Sequence, residues 1–248
     1  MKRVFTLTKR NLLIALRDPV SVLLCVILPV VMLVLMEIIF GGNEQAAELF
    51  DIKNFAPGIA QFGFSFTMLY AVICIGADKN SSFMQRLIVS PMKPAEYILS
   101  FFLSSFIIMF IQTAAFYLVA LIFGLPFNGA FFLSLLLQIP AMFFYVSAGL
   151  LIGVLAKNEK QAGPISSVMI SGMGLLGGLW IPLKSIGGTF FEVCRFLPFY
   201  NGILIARHPF NAAESLLVPM IVLLLYALIA FSLSVWVFDR KCKKGTLK

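Results

Sequence analysis

Six strongly apolar stretches, each long enough to cross a bilayer, fill most of this chain, and no other feature constrains its fold as tightly. A helical span needs about 20 mostly apolar residues to traverse the hydrocarbon core. The stretches run from about Val20 to Phe40, Pro57 to Ala77, Tyr97 to Phe123, Ala130 to Ala156, Ala162 to Ile181 and Leu216 to Phe238. Their apolar residues are continuous rather than alternating, which predicts helices and not a β-barrel. Charged residues make up only 12 % of the chain, against about a quarter in a soluble domain. The expected fold is an all-α integral membrane protein of six transmembrane helices, a single domain over residues 1–248.

Lys and Arg collect on the cytoplasmic side of a membrane protein. With the N-terminus inside, one side receives Lys2, Arg3, Lys9, Arg10, Arg17, Lys79, Arg86, Lys93, Lys157, Lys160, Arg240, Lys241, Lys243, Lys244 and Lys248; the other receives Lys53, Lys184, Arg195 and Arg207. Both termini are therefore expected in the cytoplasm. The net charge of +8 is explained by topology and gives no reason to expect nucleic acid. A cleaved signal peptide fits poorly, because its apolar core would be 7–15 residues long and no A-x-A site follows residue 40.

Three segments are not spans. In residues 1–19 the basic side chains share one arc of a helical wheel, and Phe5, Leu7, Leu12, Ile14 and Leu16 occupy the rest. That pattern predicts an interfacial helix lying on membrane lipid, ended by Asp18-Pro19. Residues 78–96 form the longest cytoplasmic loop and contain a helix-compatible run, Ser82-Phe83-Met84-Gln85-Arg86-Leu87-Ile88-Val89, stopped by Ser90-Pro91. Apolar residues exposed in such a loop mark a docking surface; the competing reading folds them back against the protein. Residues 182–214 are too long for a turn and too apolar for a solvated loop, and their Pro and Gly breaks predict broken helices re-entering from outside.

Enzyme signatures are missing. No G-x-x-x-x-G-K-[ST] loop occurs, so the chain has no nucleotide site of its own. Gly172-Met173-Gly174-Leu175-Leu176-Gly177 satisfies G-x-G-x-x-G, yet it sits inside an apolar helix. Small-residue packing faces, Gly174-xxx-Gly178 and Gly149-xxx-Gly153, are the better reading. His208 is the single histidine, there is no H-E-x-x-H, and no G-x-S-x-G elbow is present. No catalytic residue, metal site or cofactor is expected. The four cysteines are divided between spans and opposite sides and form no disulfide framework.

The run from Asp78 to Pro91 resembles the cytoplasmic loop of type-2 ABC exporter permeases, whose usual pattern is E-R-E-R-G-T-L-E-R-L-L-V-S-P. Asp78, Lys79, Arg86, Leu87, Val89, Ser90 and Pro91 match or are conservative, while Asn80, Ser82, Phe83 and Gln85 depart from it. Gly177-Gly178-Leu179-Trp180-Ile181-Pro182, then Leu197-Pro198 and Arg207, resembles that family's G-G-x-x-x-P followed by L-P and a later Arg; Asn201 departs from it.

The resemblance implies a permease subunit in a bacterial-type cytoplasmic membrane, exporting a hydrophobic or amphiphilic substrate. Two copies, or this chain with a similar partner, would enclose the pathway, and two separate ATPase subunits would dock beneath. It further implies that Asp78, Ser82, Phe83, Met84, Gln85, Arg86, Leu87 and Pro91 serve coupling to the ATPase. Gly177, Gly178, Pro182, Pro198 and Arg207 are gate candidates.

Glu37 is the one acid within a span; it either lines a pathway or snorkels to the outer interface. Gln61, Ser65, Thr67, Gln112, Thr113, Gln138, Ser166, Ser167 and Ser171 either line a pathway or bond between helices. A secondary transporter or channel-like protein working without an ATPase is the alternative. It should show buried ionisable residues, and Glu37 alone qualifies. A lipid-modifying enzyme would need clustered acids or histidines, and none are found.

Overall fold

The computed structural model describes residues 2–40, 50–79, 81–89, 93–157, 159–211 and 215–243, and every element among them is a helix. Helix α1 (Lys2–Arg17) buries Val4, Thr8, Asn11 and Ala15, one face at i, i+4, i+7 and i+11. That face lies on the start of the helix Pro94–Ile122, where Thr8 Oγ1 donates to Ser100 O at 3.4 Å. Phe5, Ile14 and Leu16 stay exposed. Asp18 both stops α1 and caps α2 (Pro19–Phe40): its carboxylate accepts from Val20 N and Ser21 Oγ, and Pro19 fits the first helical turn. One π-helical stretch, Leu23–Ile27, interrupts α2.

Helix α3 (Ile52–Lys79) is the central pillar, packed against α2 and against α5 (Pro94–Ile122), α7 (Ile139–Leu155), α8 (Glu159–Leu176) and α11 (Pro198–Arg207). Close approach of α3 and α7 depends on glycine. A Cβ at Gly149 would lie 2.9 Å from Met68 Cγ, and one at Gly153 would lie 3.0 Å from Ile75 Cδ1. Between α3 and α5 runs α4 (Ser82–Val89), and α6 (Gly129–Leu137), capped by the Asn128 side chain, leads into α7 through a bend at Gln138. Short helices α9 (Leu183–Ile186) and α10 (Gly188–Phe196) precede α11. Helix α12 (Leu217–Lys243) packs along α7.

Among the described residues, five helical stretches are long and apolar enough to cross a membrane: Pro19–Phe40, Ile52–Lys79, Pro94–Ile122, Gly129–Leu155 and Leu217–Lys243. The expected fifth span ends early. Helix α8 stops at Leu176 rather than Ile181, leaving 18 residues, or about 27 Å at 1.5 Å per residue. Gly177 and Gly178 end it, Gly178 taking the left-handed φ of +74° that favours glycine. Gly178 is therefore a turn residue, and Gly174-xxx-Gly178 is not a helix face; Gly174 instead makes room for the Trp180 indole. The segment after α8 does form broken helices, α9 to α11, with left-handed turns at Gly187 (φ +63°) and Gly188 (φ +61°).

Within the largely apolar core a polar knot forms around Gln138. Gln61 Nε2 donates to Gln138 Oε1 at 3.1 Å, and Gln138 Nε2 donates to Pro57 O at 2.9 Å. Tyr117 Oη and Ser134 Oγ lie 2.6 Å apart, and Ser134 Oγ donates to Ala206 O at 2.7 Å. Thr67 Oγ1 also donates to Gln112 Oε1, at 2.6 Å. These residues bond between helices, as buried polar groups in a bilayer must.

Candidate functional site

The sequence candidates fall at the two ends of α3, about 40 Å apart for a 28-residue helix. At one end the C-termini of α3, α7 and α12 come together, α1 joins the end of α3, and basic side chains gather there. Asp78 is the focus. Arg10 donates Nη2 to Asp78 Oδ1 at 3.0 Å and Nη1 to Oδ2 at 3.3 Å, and Tyr97 Oη donates to Oδ2 at 3.1 Å. Burial works against the Arg10 charge, but the hydrogen bond and charge of Asp78 outweigh it and raise the guanidinium pKa above its ordinary value. The same guanidinium sits 4.0 Å over the Phe83 ring, a cation–π contact. Interfacial helix, central pillar and α4 therefore share one arginine. Beside them a crevice of about 140 Å³, lined by Arg10, Ile14, Tyr70, Cys74 and Phe101 among others, opens between α1, α3 and α5.

Helix α4 is tethered rather than free. Ser81 Oγ and Ser81 N both donate to Asp78 O, at 2.6 and 3.1 Å, and Met84 N donates to Ser81 O at 3.2 Å. Met84 does not stand on an exposed docking face as the sequence suggested. It is 1 % exposed and belongs to the main core, because the short helix turns its apolar side to the bundle. Phe83 is half-buried beneath Arg10, while Ser82 and Arg86 are exposed. Pro91 lies outside the described residues, as do the side chains of Gln85 and Leu87.

One residue on, Lys79 was not singled out by its sequence context, since a lysine ending an apolar helix is ordinary. Its ammonium is buried and donates to Gly153 O, Val154 O and Ala156 O at 2.7, 2.7 and 2.6 Å. Lys241 Nζ on α12 donates to Val154 O as well, at 2.7 Å.

At the opposite end Arg207 closes a cluster. Its Nε donates to Asn54 O in the first turn of α3 at 2.7 Å, and its Nη1 reaches Gly178 O at 3.4 Å. Gly58 leaves the space for it: a Cβ there would lie 2.7 Å from Leu179 Cδ1 and 3.2 Å from Arg207 Nη2. Gly177, Gly178 and Arg207 are thus brought together. Pro198 is buried as the first residue of α11, whereas Pro182 is exposed before α9. Asn201 donates from Nδ2 to Arg195 O and Leu197 O at 2.7 and 2.8 Å, tying α10 to α11. Glu37 stands apart on α2, its Oε2 buried without a hydrogen bond among the described residues.

Helix α8 differs from α2 and α12 on its exposed face. Gln161, Ser167 and Ser171 are exposed there beside Val168 and Leu175. The exposed faces of α2 and α12 are largely apolar, as lipid contact requires.

Among the described residues no group of His, Cys, Asp and Glu could hold a metal ion. A comparison with curated proteins finds no match to the chain. The family model described as ABC-2 type transporter matches residues 2–211, which is 210 of the 248 residues and runs from the interfacial helix to just past Arg207. Several apolar helices, a tethered α4 and a match of that extent lead to one assignment: the chain belongs to the ABC-2 type transporter family and is a membrane permease.

Proposed function

We propose that this permease is one subunit of an ATP-driven exporter, with ATP hydrolysed by a separate subunit that docks against α4. The observation that carries this reading is α4 itself. It is a short helix held to the end of α3 by Asp78, Ser81, Phe83 and Met84, and it leaves Ser82 and Arg86 outward for a partner. A lever fits that description: stiff at its root, with a free face.

In this reading the basic end is cytoplasmic, and Arg207 with Gly177 and Gly178 closes the outer end. The polar stripe of α8 lines the pathway where a second copy, or a similar permease, faces it. Exposed Ser167 and Ser171 would be poorly placed against acyl chains but well placed along a wet route. The substrate is taken to be hydrophobic or amphiphilic, in keeping with a chain that is 60 % hydrophobic.

The test is purification of the tagged chain from native membranes, with assay of the eluate for ATP hydrolysis and for an untagged subunit carrying the phosphate-binding loop. Stoichiometric recovery of such a subunit is the expected result. Transport activity by the chain alone, with no ATPase recovered and no response to ATP, would overturn the reading in favour of a secondary transporter.

A further inference from the structure

We propose that Lys79 is a positioning residue for transport, the arm through which displacement of α4 reaches α7 and, with Lys241, α12. This rests on the reading of α4 as the helix that meets the ATPase.

The last two residues of α3 face opposite partners. Asp78 collects donors from α1 and α5 through Arg10 and Tyr97. Lys79 spends all three of its ammonium protons on the C-terminus of α7. Lys241 brings α12 to the same carbonyl, Val154 O, and reaches Leu155 O at 3.4 Å. Asp78 is also bonded through Ser81 to the root of α4. Two adjacent residues therefore connect α4 to three helices, α1 and α5 on one side and α7 on the other, and Lys241 adds α12 through the shared Val154 carbonyl.

Capping alone does not account for Lys79. The end of a helix leaves its last carbonyls without intrahelical partners, and cations are favourable there. Water or an exposed lysine would satisfy those carbonyls without desolvating an ammonium, which is costly. Lys79 is instead 7 % exposed, with no carboxylate in salt-bridge contact among the described residues. Lys241 presents a second positive charge to the same carbonyl, and two like charges so placed repel. Water would not provide what this arrangement does: a fixed mechanical link between the end of α3 and the end of α7. A shared carbonyl under two cations is also a contact that a small displacement can redistribute between them.

The experiment is hydrogen exchange on the complex with its ATPase, with and without ATP plus vanadate, read over peptides 82–89, 150–157 and 236–243. In the unaltered complex nucleotide should change exchange in all three. Lys79→Met should keep the nucleotide response of 82–89 and lose that of 150–157. Lys79→Arg, which retains several donors, should restore it. Lys241→Met should lose the response of 236–243 alone, and it decides the matter if Lys79→Met is not recovered folded.

A purely structural cap would raise exchange in 150–157 equally in both nucleotide states, leaving the difference between them intact. Retention of all three responses in Lys79→Met, or in Lys241→Met, would overturn the proposal. If the unaltered complex shows no nucleotide response in 82–89, the reading of α4 falls and this inference falls with it.

Discussion

Arg10 and Asp78, 68 residues apart in the chain, form a two-bond ion pair at the edge of the bundle, with Asp78 the more buried partner. The pair ties α1 to the end of α3, while Thr8 and Asn11 make longer contacts with Ser100 on α5. It also orients Phe83, and through it α4.

Arg10→Ala should therefore loosen α1 and α4 together. Asp78 would keep the Tyr97 hydroxyl but lose its counter-charge, a loss of about 1–3 kcal/mol for a partly buried group. Thermal unfolding in detergent measures the cost. The double variant Arg10→Asp with Asp78→Arg should recover part of it, giving a coupling energy within roughly 0.5–3 kcal/mol. Strictly additive losses would mean that the pair does not hold α1.

Met84 and Arg86 separate anchoring from docking. Met84→Asp puts a carboxylate into an apolar site, which should cost roughly 3–5 kcal/mol and lower the abundance of the permease itself. Arg86→Asp changes an exposed side chain and should leave abundance normal while reducing recovery of the ATPase. Immunoblotting of membranes and of the co-purified fraction distinguishes the two. Normal abundance of Met84→Asp would contradict the buried placement.

Gly58→Val tests the far-end cluster. The added side chain would collide with Leu179 and crowd the Arg207 guanidinium. Overpacking of this kind costs about 1–3 kcal/mol, and the displaced Arg207 should release Gly178. The expected outcome is a protein that still inserts yet leaves Trp180, packed on Phe55 and Phe62, with altered fluorescence. An unchanged Trp180 spectrum would mean that the cluster adapts without moving the turn.

Orientation follows from the basic residues. Single-cysteine labelling should find positions 93 and 160 accessible from the cytoplasm and positions 53 and 184 from outside. Positions 53 and 93 flank opposite ends of α3 and the junction after it, so labelling of both from one side would be incompatible with the arrangement of α3.

Much of the architecture was legible because long apolar runs have one solution in a bilayer. The boundaries at Asp18-Pro19, Gly124 and Asn128 carry their own capping chemistry, and the helices begin and end there. The end of α8 was not legible. Leu179-Trp180-Ile181 continues the apolar run, and only the folded chain reveals that Leu179 enters the core from a turn. The inward face of Met84 was hidden for a related reason: an eight-residue helix has too few turns for its periodicity to declare a buried side. Lys79 was hidden differently, since its partners are backbone carbonyls and leave no mark in the sequence. The intramembrane polar residues divided. Gln61, Thr67, Gln112 and Gln138 bond between helices, while Ser167 and Ser171 face outward on α8.

The polar knot around Gln138 bears on how the chain is made. Ser134 finds its acceptor at Ala206, 72 residues later in the chain, and Gln61 waits 77 residues for Gln138. A ribosome releasing this protein into a membrane therefore delivers α3 with an amide that has no partner in its own or the next long helix. Synthesis must reach residue 206 before the knot can close. The knot is completed by the arrival of α11, the helix that also carries Arg207 to its place.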